Sequence, residues 1–564
     1  MNLETILQNL RETYDVIGEI DLDHWHTLTP HKRNFWLQDQ LQKVRQDSYK
    51  NNQRIVLTLT QGDEYAKESD VVGGIIIGLR DLLYQIDITN FFVILVSNLP
   101  DLDKVQDWFQ KNSYDSTSIT FKHFSESTAV AKRIAKRKMN YYKYNSSDLI
   151  QPIELTDREE FLLKESKTFC IYPWIHLHVK PNGDTRPCCF AAWKANDICN
   201  TKMQPLNEIW NSPWQRQLRL DMLNEKKHYS CHSCYEQEES GFFSGRKSAN
   251  KHHGHHIRRI EDTQADGSVE KFEMTYWDIR FSNLCNLKCR SCGHIFSSQW
   301  YQDQAKLAGG DWAKKNKVLH YAGRTETDMW EQLLPHLDYV EQIYFAGGEP
   351  LLMEEHYNIL EELVRRGRFD VRLIYNTNFT HTELKGKSVF EYWHKFQSVS
   401  IGASLDAMGA RAEYIRKGTD WDIVERNRRE MQRVCPQVDF YISPTLSIMN
   451  AWHVPDFHRT WVEMGMIRAQ DLNVNILQDP NHYRIDIAPV AYKTKLVEKY
   501  QKHLEWLQGK DQLQRATVGF ESAITYMMAT DNSHLLPTFW SKTKELDLIR
   551  NEKILDIIPE LKDL

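Results

Sequence analysis

The sequence predicts an α/β protein built on a partial (β/α)6 barrel, and three observations support this. Strand-like and amphipathic helix-like segments alternate from about residue 272 to 490. Three cysteines cluster just after the first of those strands. Apolar residues at 41% and charged residues at 26% are an ordinary balance for a folded globular chain. Six β–α units in a row favour a parallel sheet wound by right-handed crossovers. Six units are too few to close an eight-fold barrel, and the chemistry of such a fold lies at the C-terminal ends of its strands. A chain of 564 residues exceeds what one core supports, so several domains are expected.

In chain order, residues 1–150 read as a small α/β domain with no catalytic constellation of its own. RIVLTLT (54–60), FFVILVSN (91–98) and SITFKHF (118–124) are short β-branched or aromatic runs, and VVGGIIIGLRDLLYQI between the first two is the expected crossover helix. Residues 165–245 hold six of the ten cysteines. Residues 246–271 lack apolar periodicity and read as a polar linker, although His252, His253, His255 and His256 could bind metal or phosphate. From 272 to 490 the expected strands are TYWDIRF (275–281), VEQIYFAG (340–347), VRLIYNTN (371–378), VSIGASLD (399–406), VDFYISPTLS (438–447) and LNVNIL (472–477). Between them lie amphipathic stretches such as MEEHYNILEELVRRG and WDIVERNRREMQRV. Residues 491–564 have helical apolar spacing and are expected to cap the barrel.

Bulk properties weigh against several function classes. A net charge of −6 and a pI near 6.5 argue against a nucleic-acid partner. No apolar run reaches the roughly 20 residues of a membrane span. The N-terminal MNLETILQNLRETYD lacks the basic start and apolar core of a signal peptide. A cytoplasmic protein with reduced thiols is therefore expected, and clustered cysteines then read as metal ligands.

Cys285, Cys289 and Cys292 follow the first barrel strand as C-x-x-x-C-x-x-C. A structural zinc site wants four ligands, and a disulfide framework wants an even count. Three thiolates on a [4Fe–4S] cube leave one iron free for another ligand. Further polar signals stand at later strand ends: Gly347-Gly348-Glu349-Pro350, Asn376-Thr377-Asn378, Ser404-Leu405-Asp406, and Arg416 beyond them. This series resembles the radical S-adenosylmethionine (radical SAM) enzymes, whose core is a partial TIM-like barrel. The resemblance implies that the cluster on Cys285, Cys289 and Cys292 chelates SAM and cleaves it reductively to methionine and a 5′-deoxyadenosyl radical. It implies that Gly347, Gly348 and Glu349 hold the SAM amino group, that Ser404 meets its ribose or carboxylate with Asp406 nearby, and that Arg416 lies near its carboxylate. Asn378 belongs to the matching T-N step. One departure is Ser291, where many relatives carry an aromatic residue before the third cysteine.

The earlier cysteines form a second group: Cys170, Gly183-x-x-x-x-Cys188 and Cys231-x-x-Cys234. VKPNGDTRP reads as a hairpin with an Asn182-Gly183 turn that brings Cys170 and Cys188 together, and LNEIWNSPWQRQLRLDML reads as a following helix. Four thiolates suit either a [4Fe–4S] cluster or structural zinc. The pattern resembles the SPASM and twitch auxiliary modules, which implies an auxiliary [4Fe–4S] cluster. Here the module precedes the barrel, whereas in most relatives it follows. Cys189 is a spare that could replace Cys188, and Cys199 and Cys435 read as small buried residues. The whole resemblance implies a radical SAM enzyme acting on a peptide or protein, or alternatively on a small molecule, with a reductant such as flavodoxin or ferredoxin. A non-enzymatic zinc-binding protein is the reading from a different class.

Overall fold

The computed structural model describes residues 155–192, 197, 199–239 and 244–564, and the backbone of four strands nearer the N-terminus. Those four, β1 (Val16–Asp21), β2 (Ile55–Thr60), β3 (Val93–Ser97) and β4 (Ile119–His123), form an all-parallel sheet in sequence order. Three of them fall on the expected apolar runs. β1 was not singled out, because VIGEID dilutes its apolar positions with glycine and acids. The expected crossover helix at 71–86 lies outside the described residues.

The main sheet begins with the cysteine-rich region. β5 (His176–Val179) and β6 (Asp184–Arg186) form the expected antiparallel hairpin. Gly183 in its turn has φ +90°, and a Cβ there would lie 2.7 Å from the Asn200 side-chain oxygen, so the turn requires glycine. β7 (Cys199–Asn200) adds to β6. The following strands are β8 (Tyr276–Ile279), β9 (Gln342–Phe345), β10 (Arg372–Thr377), β11 (Val399–Ala403) and β12 (Asp439–Ile442). The sheet order is β12-β11-β10-β9-β8-β5-β6-β7, and every pairing from β12 to β5 is parallel. The cysteine hairpin is therefore an extension of the main parallel sheet, joined by β5–β8 pairing with His178 opposite Asp278.

The sixth expected strand departs from this ladder. Asn475–Ile476 pairs in parallel with Thr445–Leu446 as a separate two-stranded sheet, and an isolated bridge joins Ile442 to Leu472. Pro444, which has no N–H to donate, separates Thr445 from β12 and breaks the ladder there.

Residues alternate in direction along these strands. Trp277 and Ile279, Ile343 and Phe345, Leu373 and Tyr375, and Phe440 and Ile442 are all buried. They belong to one apolar core that also holds Ile359, Leu360 and Leu363 of helix Glu354–Arg365 and Val424 and Met431 of helix Trp421–Val434. Asp420 caps the latter helix by accepting from the Ile423 N–H at 3.2 Å. The C-terminal helices Val490–Leu507, Arg515–Ala529 and Leu536–Arg550 contribute Leu496, Tyr500, Phe520 and Phe539 to the same core. Among the described residues no helix is long and apolar enough to cross a membrane.

Three expectations are corrected. The 246–271 segment does not read through as a polar linker. Gly245–His253 is α-helical and Gly254–Asp262 is 3-10 helical, with Ala249, His253, Ile257 and Ile260 buried. That four-residue recurrence of buried positions was masked by the surrounding histidines and arginines. The single helix expected after the hairpin is two, Leu206–Trp210 and Pro213–Leu223, because Pro213 opens a new helix capped by Ser212. Cys199 is only half-buried, at the sheet edge, whereas Cys435 is buried as expected.

Candidate active site

The loop after β8 is built by side chains that tie it to itself and to the next strand ends. Asn283 donates from Nδ2 to the carbonyls of His294 (2.8 Å) and Val318 (3.0 Å), and its Oδ1 accepts from the His320 N–H at 2.8 Å. Trp300 Nε1 donates to the Cys289 carbonyl at 2.8 Å. Lys288–Cys289 pairs antiparallel with Arg416–Lys417. The Gly348 N–H donates to the Ser282 carbonyl (3.2 Å) and the Glu349 N–H to the Leu284 carbonyl (2.7 Å).

A Cβ on Gly348 would lie 2.1 Å from the Leu284 carbonyl oxygen. The close approach that this glycine permits is thus to the chain's own cysteine loop. Gly348→Ala is expected to destabilise the protein by about 3 kcal/mol, the upper range for an overpacked site. Urea unfolding of the purified variant checks this.

Cys285 and Cys289 are buried and Cys292 is half-buried, and the three form one cluster around Leu287. Burial, with the neighbouring thiols, pushes Cys292 up to about 12 and raises Cys285 further. Burial also raises Cys289, against the Arg416 guanidinium, whose Nη1 donates to Cys289 Sγ at 3.7 Å. The Leu287 N–H donates to Cys285 Sγ at 3.4 Å. Packed thiols met by an amide and a guanidinium have the donor chemistry of a thiolate-held cluster.

The other predicted residues surround this loop. Glu349 is buried. Its carboxylate accepts from Thr377 Oγ1 (2.7 Å), the Asn378 N–H (2.7 Å) and the Leu351 N–H (3.1 Å), which locks β9's end to β10's. Asn378 donates from Nδ2 to Asn286 Oδ1 at 2.9 Å and so holds the cysteine loop against β10. Arg416 forms a bidentate pair with Asp406 at 2.8 and 3.0 Å, and Asp406 also accepts from the Thr445 N–H at 2.7 Å. Ser404 is half-buried, and its N–H donates to the Thr377 carbonyl at 2.7 Å. Gly347 has φ +123° and packs against Arg280. Ser291 lines a small cleft with Asp406, Ile415, Thr445, Ser447 and Leu477.

Burial pushes the Glu349 carboxyl up to about 7 from 4.5, against the pull of its hydrogen bonds. A carboxyl raised on folding adds stability that is fully present below its unfolded pKa and lost as pH rises through the folded value. The cluster-free protein is therefore expected to lose on the order of 3 kcal/mol relative to Glu349→Gln between about pH 4.5 and 8. Urea unfolding of both proteins across that range checks it.

The four predicted auxiliary ligands also converge. Cys170 and Cys234 are buried, Cys188 and Cys231 half-buried. Burial, with the Cys231 and Cys234 thiols, raises Cys170, and burial, with Cys189, Cys231 and Cys170, raises Cys188. Burial pushes Cys231 up to about 12. Cys189 is exposed and, unlike Cys188, feels Asp278 and Arg280 most strongly among charged groups.

Residues 170–235 match the SPASM iron–sulfur cluster-binding domain family. The chain carries a SPASM module. The SPASM module thus stands ahead of β8 in the sequence and shares a sheet with it through β5. Among solved structures, the chain is similar to native anSMEcpe with bound AdoMet: 20% identity, 41% of this chain and 60% of that chain covered, TM-score 0.28. It is also similar to anSMEcpe with AdoMet and the Cp18Cys peptide, at 18% identity, the same coverages and TM-score 0.28. The similarity therefore spans 60% of those structures' length. A search of curated proteins returns no match.

Sequence reasoning missed a polar row on the opposite sheet face from the apolar core. His178 Nδ1 meets Asp278 Oδ2 at 2.8 Å, and Arg280 Nε pairs with Asp278 Oδ1 at 2.7 Å. The Arg280 guanidinium lies 4.8 Å from the Tyr344 ring centre, and Asn376 Nδ2 donates to Tyr344 Oη at 2.6 Å. A Cβ on Gly402 would lie 2.8 Å from Asn376 Oδ1 and 3.1 Å from Tyr441 Oη, so the row continues across β11. The available signal was the period-2 alternation in TYWDIRF, EQIYF and VDFYI, which places these residues on one face.

Proposed function

We propose that the protein is a radical SAM enzyme that acts on a peptide or protein substrate and uses an auxiliary cluster in its SPASM module. The observation that carries this reading is the convergence of Cys285, Cys289 and Cys292 in one buried patch at the C-terminal end of a parallel sheet, with the Glu349, Asn378 and Asp406–Arg416 contacts closing around it. Cys285, Cys289 and Cys292 would hold the first cluster, and Cys170, Cys188, Cys231 and Cys234 the second. When bound, the first cluster supplies the electron that splits SAM at its sulfonium–C5′ bond, giving methionine and a hydrogen-abstracting 5′-deoxyadenosyl radical.

The chain's own share is positioning. Asp406 and Arg416 set polar groups beside Cys289. The polar row from Asp278 to Tyr441 offers hydrogen-bond partners to a polar substrate rather than an apolar one. A reductant such as flavodoxin or ferredoxin would be its partner, in the cytoplasm.

Anaerobic reconstitution tests the reading. About eight irons per chain are expected from two four-iron clusters, together with release of 5′-deoxyadenosine from SAM on reduction. Zinc at both sites with no SAM cleavage would overturn it in favour of a metal-stabilised binding protein. A small-molecule substrate is the second reading. Turnover that survives deletion of residues 1–150 would support it over a leader-dependent peptide.

A further inference from the structure

We infer a third metal site, for a divalent transition ion such as zinc, formed by His255, His256 and Glu341. It lies at the opposite end of the sheet from the cysteine loop. Glu341 directly precedes β9 and Thr275 directly precedes β8, so both stand at the strands' N-terminal edge. His255 and His256 are consecutive in the 3-10 segment Gly254–Asp262, which packs against that edge.

The geometry is convergent. His255 Nε2 lies 2.8 Å and His256 Nε2 2.9 Å from the same oxygen, Glu341 Oε2. One ligand atom from each residue lies within 4.8 Å of the others. The Thr275 hydroxyl lies 3.2 Å from His256 Nε2. The two imidazole side chains are only 20% and 10% exposed. A single carboxylate oxygen facing two shielded imidazole nitrogens must divide its lone pairs between two neutral N–H donors, or else serve as one anion for two cations. A divalent ion between them replaces both arrangements with three favourable ligand bonds.

The neighbours suit this. His253 stacks on Tyr276 at 5.2 Å and so fixes the start of the segment. Arg259, the nearby cation, is turned away onto Glu273, donating to its carbonyl at 2.9 Å and its carboxylate at 3.3 Å. Two nitrogens and one oxygen form the donor set of zinc, iron(II), cobalt or nickel rather than of magnesium or calcium. The ion would staple the segment that leaves the SPASM module to the base of the main sheet.

The test uses the full chain with its iron restored, titrated with Zn2+ against a chromophoric chelator, with iron measured in the same samples. Wild type is expected to hold one more zinc than His256→Ala at unchanged iron. Glu341→Gln, which keeps size and hydrogen-bonding capacity, is expected to lose roughly 100-fold or more in zinc affinity, beyond the usual loss of an outer-shell partner. Zinc is also expected to raise the thermal midpoint of wild type and of neither variant. Equal zinc in all three proteins, or equal midpoint shifts, would overturn the site. The inference does not depend on SAM cleavage, so failure of that activity leaves it standing.

Discussion

Replacing Cys285, Cys289 and Cys292 together with alanine is expected to abolish 5′-deoxyadenosine release and to remove about four of roughly eight irons per chain. The auxiliary signal should survive, because Cys170 and Cys231 pack into a separate apolar cluster around Trp174, Leu218 and Met222. Fold should survive as well. The loop is held by Asn283, Trp300, Gly348 and Asn378, none of which bonds through a thiol. Iron analysis and electron paramagnetic resonance of reduced wild type and variant, with and without SAM, measure both effects. A variant that keeps all its iron would place the clusters elsewhere.

Asp547→Ala is expected to have the largest effect of any substitution distant in sequence from the cysteines. Arg290 stands between Cys289 and Ser291, and its guanidinium is almost fully buried. Its Nη2 is paired with Asp547 and, at 2.7 Å, with Glu552, both in the C-terminal region. Asp547 also accepts from Tyr414 Oη at 2.8 Å and from the Ile554 N–H at 2.9 Å, and the Tyr414 ring lies 3.7 Å beneath the guanidinium. A second clamp is Arg550, whose Nε donates to Asp303 at 2.8 Å while its guanidinium lies over Trp300. Removing one partner leaves a buried charge short of compensation and costs about 3–5 kcal/mol. The loss should fall on the cysteine loop, so iron at the first site should drop while the auxiliary site is spared. Arg290→Met combined with Asp547→Leu should recover much of the stability, because an apolar pair of similar volume replaces the ion pair. Denaturant unfolding of the single and double variants gives the coupling directly.

These contacts also define what was legible. Ligand spacing is local, so C-x-x-x-C-x-x-C and C-x-x-C could be read from the chain, as could the strand ends, where turn chemistry stands within a few residues of an apolar run. The 245–262 segment was misread because His253 is buried by ring stacking, which a polarity pattern counts as solvation. The C-terminal helices were recognised by their spacing, but their role as a clamp was not, because Arg290 and Asp547 are 257 positions apart.

The sequence by itself determined the alternation of strands and helices and the spacing of the two cysteine groups, since each depends on neighbours along the chain. Only the tertiary structure decided that the SPASM hairpin extends the main sheet through His178 and Asp278. It also turned Glu349 inward onto β10 and brought two histidines onto Glu341. These pairings join residues that nothing local links, and packing selects among them only once the whole sheet has formed.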